Sequence, residues 1–356
     1  MARALTLAVR ADFETSPNPM VGAVVVNHGA VVGEGYHRRA GMAHAEVVAL
    51  ERAGEAARGS ELWVSLEPCC TTGRTGPCTE RIIGAGITRV HVAVLDPNPQ
   101  VSGRGVEELR RAGLEVDTGE REAEALRLIE HYAVWVTTGL PFITLKIAMS
   151  VDGRIATSGG ESQWITSAEA RAEGHRLRHS HDAILVGSQT VISDDPALTA
   201  RFRQEGGRQP YRVVVDGRLR TPPHSRLLAP PGGPALIFTT SGSGGDPRPL
   251  EAAGARVVEV SGLRGRPSIR AVLSRLAEMG LTSVLVEGGP TVLASLQAER
   301  LGNRLVAFVA PTVLGGRAAP GPFGGRGAAR LADGWGWRFV EAARVGPDLR
   351  ITAEVP

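Results

Sequence analysis

Short apolar runs alternate with helical stretches along almost the whole chain, and the alternation is interrupted once, at Thr137-Thr138-Gly139-Leu140-Pro141. Before that break, "VGAVVVNHGAVVGEGY" (21–36) reads as a hairpin around Asn27-His28-Gly29. A helix over 43–57, a strand over 61–66, a helix over 78–86 closed by glycine, a strand over 89–95 and a helix over 103–113 follow. A single long helix is expected over 120–136. After the break, strands are expected at 142–150, 183–187, 211–217, 235–240, 255–260 and 283–289, with a helix over 268–280. The segment 241–249, rich in Gly, Ser and Pro, reads as a loop. Alternation of this kind predicts an α/β architecture in each half. The length of 356 residues accommodates two domains, with the boundary expected at residue 140.

All three cysteines fall in one segment, "EPCCTTGRTGPC" (67–78), shortly after "HAE" (44–46). A disulfide scaffold would spread its cysteines and pair them, so metal binding or catalysis is the better reading. The net charge of +3 is too small for a nucleic-acid coat or a membrane surface, although a phosphorylated small molecule fits it. No apolar run approaches the ~20 residues of a membrane span, and the N-terminus has no leader-like pattern. A cytoplasmic protein without nucleic-acid or membrane partners is the expectation.

A catalytic zinc site takes three protein ligands and leaves one position for water. His44, Cys69 and Cys78 supply one nitrogen and two thiolates; Cys70 is the rival to Cys69, which carries the preceding proline. Glu46, two residues from His44, can move protons without binding metal, provided the pair lies in the first turn of its helix. Pro68 and Pro77 precede the two thiols, so each thiol is expected near a helix N-terminus, where the dipole favours thiolate. A histidine cap with two buried hydrophobic cysteines is the bland alternative. The ordered set H-x-E, Pro-Cys, Pro-Cys favours zinc, although the thiols stand nine apart where the deaminase signature has three. Arg74, inside the long loop between the thiols, either meets a substrate phosphate or is a surface charge.

The segments "SPNPMVGAVVV", "GYHRRAGMAHAE", "EPCCTTGRTGPC" and "LDPNPQVSGRG" together resemble the bifunctional deaminase–reductase family of riboflavin biosynthesis. The resemblance implies zinc on His44, Cys69 and Cys78, proton transfer by Glu46, and Asn18, His37, Arg74 and Asp96 against the pyrimidine and ribose phosphate. Thr71-Thr72 stand where the family often has a histidine, which loosens loop contacts without losing a metal ligand.

In the second half, "LVEGGPTVL" (285–293) is a strand running into a Gly-Gly turn and a helix, a place where backbone N–H groups can meet phosphate. On its own it reads as well as a packing turn, because no G-x-G-x-x-G accompanies it. "LKIAMSVDGRIA", "GESQWITS" and "ILVGSQTVISDDPALTAR" resemble the reductase domain of the same family. By that resemblance Ala148, Trp164, Thr190, Asp194 and the turn of Gly289, Pro290, Thr291, Val292, Leu293, Ala294 and Ser295 contact NADPH. Ser162, Arg178, Leu198, Arg201 and Glu287 contact the substrate. Lys146 and Asp194 are further polar groups near the sugar, and Gly302-Asn303 is a departure expected to affect packing.

The implied architecture is a cytidine-deaminase-like three-layer α/β domain over 1–140 and a dihydrofolate-reductase-like α/β domain over 141–356. The implied cofactors are zinc and NADPH, the substrate a phosphorylated pyrimidine, and the assembly a homodimer or homotetramer. Two rivals remain: a base deaminase with an unrelated partner domain, and a structural zinc module. The wide thiol spacing and the lack of a basic, aromatic-interleaved face oppose the first. Glu46 opposes the second, because a structural site has no use for it.

Overall fold

A computed structural model describes residues 1–71, 76–202, 207–263 and 265–356. The chain divides into two compact units, Met1–Leu140 and Pro141–Pro356.

The first unit runs α1 (Ala2–Val9), β1 (Gly22–Asn27), β2 (Ala30–Tyr36), α2 (Ala45–Ala53), β3 (Glu61–Val64), α3 (Cys78–Gly84), β4 (Arg89–Val92), α4 (Arg104–Arg111), β5 (Glu115–Thr118), α5 (Glu122–Leu128) and α6 (Glu130–Thr138). The sheet order is β2-β1-β3-β4-β5. β1 lies antiparallel to β2 and β3, and β3, β4 and β5 are parallel. Alternation along β1 sorts side chains to two faces. Val24 and Val26 pack with Ala4 and Leu7 of α1. Ala23 and Val25 join Ala45 and Ala49 of α2, Ile82 of α3 and Leu109 of α4. Helices therefore cover both faces, giving three layers. The helix expected over 120–136 is two helices, because Ile129 leaves helical geometry (φ −108°, ψ 12°) while its side chain stays buried in the core. Tertiary packing of Ile129 overrides a continuous helical pattern.

The second unit runs β6 (Phe142–Ser150), α7 (Ala168–His179), β7 (Ala183–Gly187), α8 (Ser188–Asp194), β8 (Tyr211–Val215), β9 (Ala235–Thr239), α9 (Arg248–Ala252), β10 (Ala255–Glu259), the short ribbon β11 (Gly262–Leu263) and β12 (Arg266–Pro267), α10 (Ile269–Glu278), β13 (Ser283–Val286), α11 (Pro290–Glu299), β14 (Arg304–Ala310), β15 (Arg338–Val345) and β16 (Asp348–Glu354). The large sheet is ordered β10-β9-β8-β7-β13-β6-β14-β16-β15. It is parallel from β10 to β14, and the last two strands are antiparallel. The central strands are buried on both faces and read as continuous apolar runs, as parallel strands must. The strand expected to reach residue 289 stops at Val286, and the last two residues of the loop expected over 241–249 already belong to α9. Gly302-Asn303 does act in packing. A Cβ on Gly302 would lie 2.9 Å from the Trp335 ring, and Asn303 Oδ1 accepts the Ile143 N–H at 2.8 Å.

Among the described residues, no helix is long and apolar enough to cross a membrane.

Candidate active sites

In the first unit, three elements deliver the metal donors. His44 is the N-cap of α2, with extended backbone (φ −71°, ψ 162°), and Glu46 sits in the first turn that follows. That is the geometry in which a residue two positions away can share the helix mouth. Cys69 lies in the loop after β3, and Cys78 is the first residue of α3, with Pro77 as its cap. Cys69 opens no helix of its own, contrary to the reading of Pro68. It reaches a helix mouth in space instead, because the Cys78 backbone N–H donates to Cys69 Sγ at 3.4 Å.

The donor atoms of His44, Cys69 and Cys78 all lie within 4.8 Å of one another. His44 Nδ1 is 3.2 Å from Cys78 Sγ and 3.5 Å from Cys69 Sγ. Tetrahedral zinc with ordinary Zn–N and Zn–S bonds places its ligand atoms roughly 3.5 Å apart. The trio therefore fits zinc in both donor chemistry and spacing. The hydrogen bond from Cys78 and the contact with His44 lower the Cys69 thiol, so the pair already favours one thiolate. Glu46 is buried, and that burial raises its carboxyl pKa against the opposing pull of His44. A carboxyl pushed upward beside a metal trio suits reversible proton transfer.

Asn18, His37 and Asp96 line the surroundings. His37 is buried, stands edge-on to His44 at 5.4 Å, and has Nδ1 3.1 Å from the Ala43 carbonyl oxygen. With Nδ1–H donating there, Nε2 accepts from Asn18 Nδ2 at 3.1 Å. Burial lowers the His37 pKa and keeps the ring neutral. Asp96, after the end of β4, accepts the Asn98 N–H at 2.8 Å and the Tyr132 hydroxyl at 3.0 Å, and burial raises its carboxyl. Arg74 lies outside the described residues.

The second unit gathers a charged cluster around Glu287, the residue after β13. Arg178 on α7 grips it with two bonds, Nε to Oε1 at 2.6 Å and Nη2 to Oε2 at 2.8 Å. Burial alone would raise Glu287, but the Arg178 charge, its hydrogen bonds and Lys146 reverse this and hold it at about 2. Lys146 on β6 is lowered by burial and partly restored by Glu287. His175, one turn before Arg178, has Nε2 3.1 Å from Arg201 Nη2 and Nδ1 3.1 Å from Thr199 O and 3.2 Å from the Arg201 backbone N. Thr199 O also accepts from Arg178 at 3.1 Å. Arg178, Arg201 and Glu287 are thus brought together by one histidine and one carbonyl.

α8 and α11 open at the carboxyl ends of the neighbouring parallel strands β7 and β13, where α/β sheets bind ligands. Gly289, the N-cap of α11, donates its N–H to Thr190 Oγ1 at 3.2 Å. Gly288 cannot be larger, since a Cβ would lie 2.9 Å from Val186 Cα. The first turn of α11, Pro290 to Leu293, therefore sits against β7 and α8 with its positive end at the sheet margin, a fit for a dinucleotide's phosphates. Ser162 donates to Asp194 Oδ1 at 3.1 Å, joining one expected substrate contact to one expected cofactor contact. Leu198 is buried with φ +49°, Ala148 pairs with Phe308 across β6 and β14, and the exposed Trp164 ring lies 4.6 Å beneath Arg171.

Sequence reading missed Glu67, Tyr132 and His175. For His175, its position three residues before Arg178 on one helical face was an available signal.

The two domains match known families in the same order. Residues 1–94 match the cytidine and deoxycytidylate deaminase zinc-binding region, and residues 141–351 match the RibD C-terminal domain. Together with the two sites, this defines a bifunctional enzyme, a zinc-binding deaminase joined to an NADPH-using reductase. The riboflavin biosynthesis protein RibD of Aquifex aeolicus is 45% identical over 315 residues, covering 88% of this chain and 87% of that protein. Its Escherichia coli counterpart is 41% identical over 360 residues, covering 98% and 96%. The solved Acinetobacter baumannii RibD superimposes with a TM-score of 0.89 at 34% identity, covering 99% of this chain and 97% of that one. A Thermotoga maritima structure, described as a diaminohydroxyphosphoribosylaminopyrimidine deaminase/5-amino-6-(5-phosphoribosylamino)uracil reductase, gives 0.88 at 35% identity, covering 100% and 97%. The chain belongs to the RibD family, the deaminase–reductases of riboflavin biosynthesis.

Proposed function

We propose that residues 1–140 form the zinc-dependent pyrimidine deaminase and residues 141–356 the NADPH-dependent reductase, acting in that order on one phosphorylated pyrimidine. The first substrate is 2,5-diamino-6-ribosylamino-4(3H)-pyrimidinone 5′-phosphate, a reading supported by the activity for which the Thermotoga maritima relative is named. The observation that carries the reading is the trio His44, Cys69 and Cys78 within 4.8 Å, with Glu46 on the same helix mouth.

His44, Cys69 and Cys78 hold zinc, which supplies the Lewis acidity that activates water. Glu46 takes a proton from the attacking water and delivers it to the departing amine, while the second water proton ends on the adjacent ring nitrogen, so that water adds, ammonia leaves and the ring carbon ends as a carbonyl. Asn18, the neutral His37 and Asp96 orient the pyrimidine, and Arg74 meets the phosphate. In the second unit Ala148, Trp164, Thr190, Asp194 and the Gly289–Ser295 turn would hold NADPH, which would supply the hydride. Arg178 and Arg201 bind the ribose phosphate, while Ser162, Leu198 and Glu287 fix the sugar; the opened ribosyl carbonyl gains one hydride and one proton to become ribityl. Orientation more than a nucleophile is what this step requires. The product is 5-amino-6-ribitylaminouracil 5′-phosphate. The enzyme works in the cytoplasm as a homodimer or homotetramer.

Ammonia release and NADPH oxidation, followed separately on the purified chain, test this. Both should proceed, with NADPH consumed only after deamination. Glu46→Ala should retain zinc and stop both. Ammonia release by Glu46→Ala at the native rate would remove the proton-transfer role.

A further inference from the structure

We infer that Glu67 is a positioning residue that locks the metal-ligating loop and the Asp96 loop into one frame. This rests on reading Cys69 as a zinc ligand and Asp96 as a substrate contact. Glu67 follows β3, immediately before Pro68-Cys69, and is 3% exposed. Its Oε2 accepts the N–H groups of Asp96 at 3.0 Å and Gly103 at 2.8 Å, and its Oε1 accepts that of Val106 at 3.1 Å. Its own N–H donates to Val94 O at 2.9 Å, so main chain and side chain both hold the end of β4.

Each partner has a function in that frame. Asp96 carries one of the groups facing the pyrimidine. Gly103 is the N-cap of α4 and Val106 lies in its first turn, so the carboxylate also sits at the positive end of that helix. From the other side α4 presses on the ligand loop itself. A Cβ on Gly105 would lie 2.2 Å from Pro68 O, the carbonyl joined to Cys69. The three hydrogen bonds of the Glu67 carboxylate go to backbone N–H groups, so it acts chiefly through the backbone that carries the site, while its charge adds to the burial that raises the Asp96 carboxyl.

Glutamine in its place keeps the volume but offers one acceptor oxygen and turns an N–H₂ group toward backbone N–H donors. At least one buried donor then loses its partner, and the metal-ligating loop, the Asp96 loop and the start of α4 are no longer held together. The deaminase should suffer in two ways that simple loss of stability would not produce together: weaker zinc and a higher KM.

The test uses the full-length, zinc-loaded chain. Zinc affinity comes from competition with a chromophoric chelator. Ammonia release gives the deaminase KM and kcat, and NADPH oxidation with the deaminated intermediate serves as control in the same molecule. Glu67→Gln should weaken zinc by about tenfold and raise the deaminase KM, leaving NADPH oxidation unchanged. Gly105→Ala, with Glu67 intact, should do the same by pushing α4 away from Pro68. If either variant fails to fold, amide hydrogen exchange on the unsubstituted chain decides. Coupling is reciprocal, so chelating zinc should speed exchange at Asp96, Gly103 and Val106. Native zinc affinity and KM in Glu67→Gln, or exchange at those three amides indifferent to zinc, overturns the inference while the zinc reading stands. A native chain that binds no zinc overturns both.

Discussion

Replacing Glu287 by glutamine isolates the energetics of the reductase cluster. The Arg178 and Glu287 side chains are 17% and 11% exposed, and their carboxylate–guanidinium pair is bidentate. Lys146, half-buried on β6, interacts electrostatically with both. Glu287→Gln keeps the shape and removes the one negative charge, leaving two cations in a desolvated site. Breaking a buried pair from one side costs about 3–5 kcal/mol. For a unit of this size, 1 kcal/mol shifts Tm by about 2–4 °C, so the fall should be roughly 6–20 °C. Scanning calorimetry of the whole chain reads it. The pH dependence has a fixed sign. Glu287 is held at about 2 in the folded protein, below its unfolded value, so its stabilisation is present above the unfolded pKa and lost as pH falls toward 2. The gap between native chain and Glu287→Gln should therefore close through that acid window. Arg178→Met combined with Glu287→Leu should recover part of the loss, since Arg178 is then no longer stranded and only Lys146 lacks its counter-charge. A fall of less than about 1 kcal/mol, or strict additivity in the double variant, would refute the argument that a stranded charge is the cost.

Other outcomes follow from individual contacts. Tyr132→Phe removes the hydroxyl bonded to Asp96 at 3.0 Å, a charge-assisted bond of about 1.5–3 kcal/mol; deaminase KM should rise while zinc content stays constant, and an unchanged KM would separate Asp96 from substrate binding. His181 is buried and lowered to about 4 by that burial, with its ring bonded to Thr144 Oγ1 at 2.8 Å. Its folded pKa lies below the unfolded one, so stability should fall as pH drops from about 6.5 toward 4, and His181→Gln should flatten that slope in denaturant titrations. Removing zinc with a chelator should stop ammonia release but leave NADPH oxidation from the deaminated intermediate intact; parallel loss of both would argue against separate sites.

What the sequence disclosed and what it hid follow from how each site is assembled. The candidate zinc trio was legible because its chemistry is compressed: His44 and Glu46 share one helix mouth, and Cys69 stands nine positions before Cys78, the first residue of α3. Spacing alone then limits the geometry. The α/β order was legible too, because central parallel strands such as Ile184–Val186 and Val284–Val286 are uninterrupted apolar runs. β5 escaped because "EVDT" is short and mostly exposed, and α7 because its sequence is polar through most of its length. Ile129 shows the opposite failure, a helical pattern broken by the core it joins.

The residues of the reductase cluster were reached only through the family resemblance, and their pairing was not legible from the residues themselves. Arg178 and Glu287 are 109 residues apart, and nothing in their spacing joins them. They meet because β13 inserts between β6 and β7, which brings the residue after β13 beside the helix that precedes β7. Glu67 follows the same logic at shorter range. Its three bonds go to backbone N–H groups, which no side-chain pattern records, and they form only because β3 and β4 run parallel and end together. Residues that perform chemistry are thus marked by their own type and spacing. Residues that hold them in place are marked by the topology, and a buried carboxylate facing only main-chain donors is the form that mark takes here.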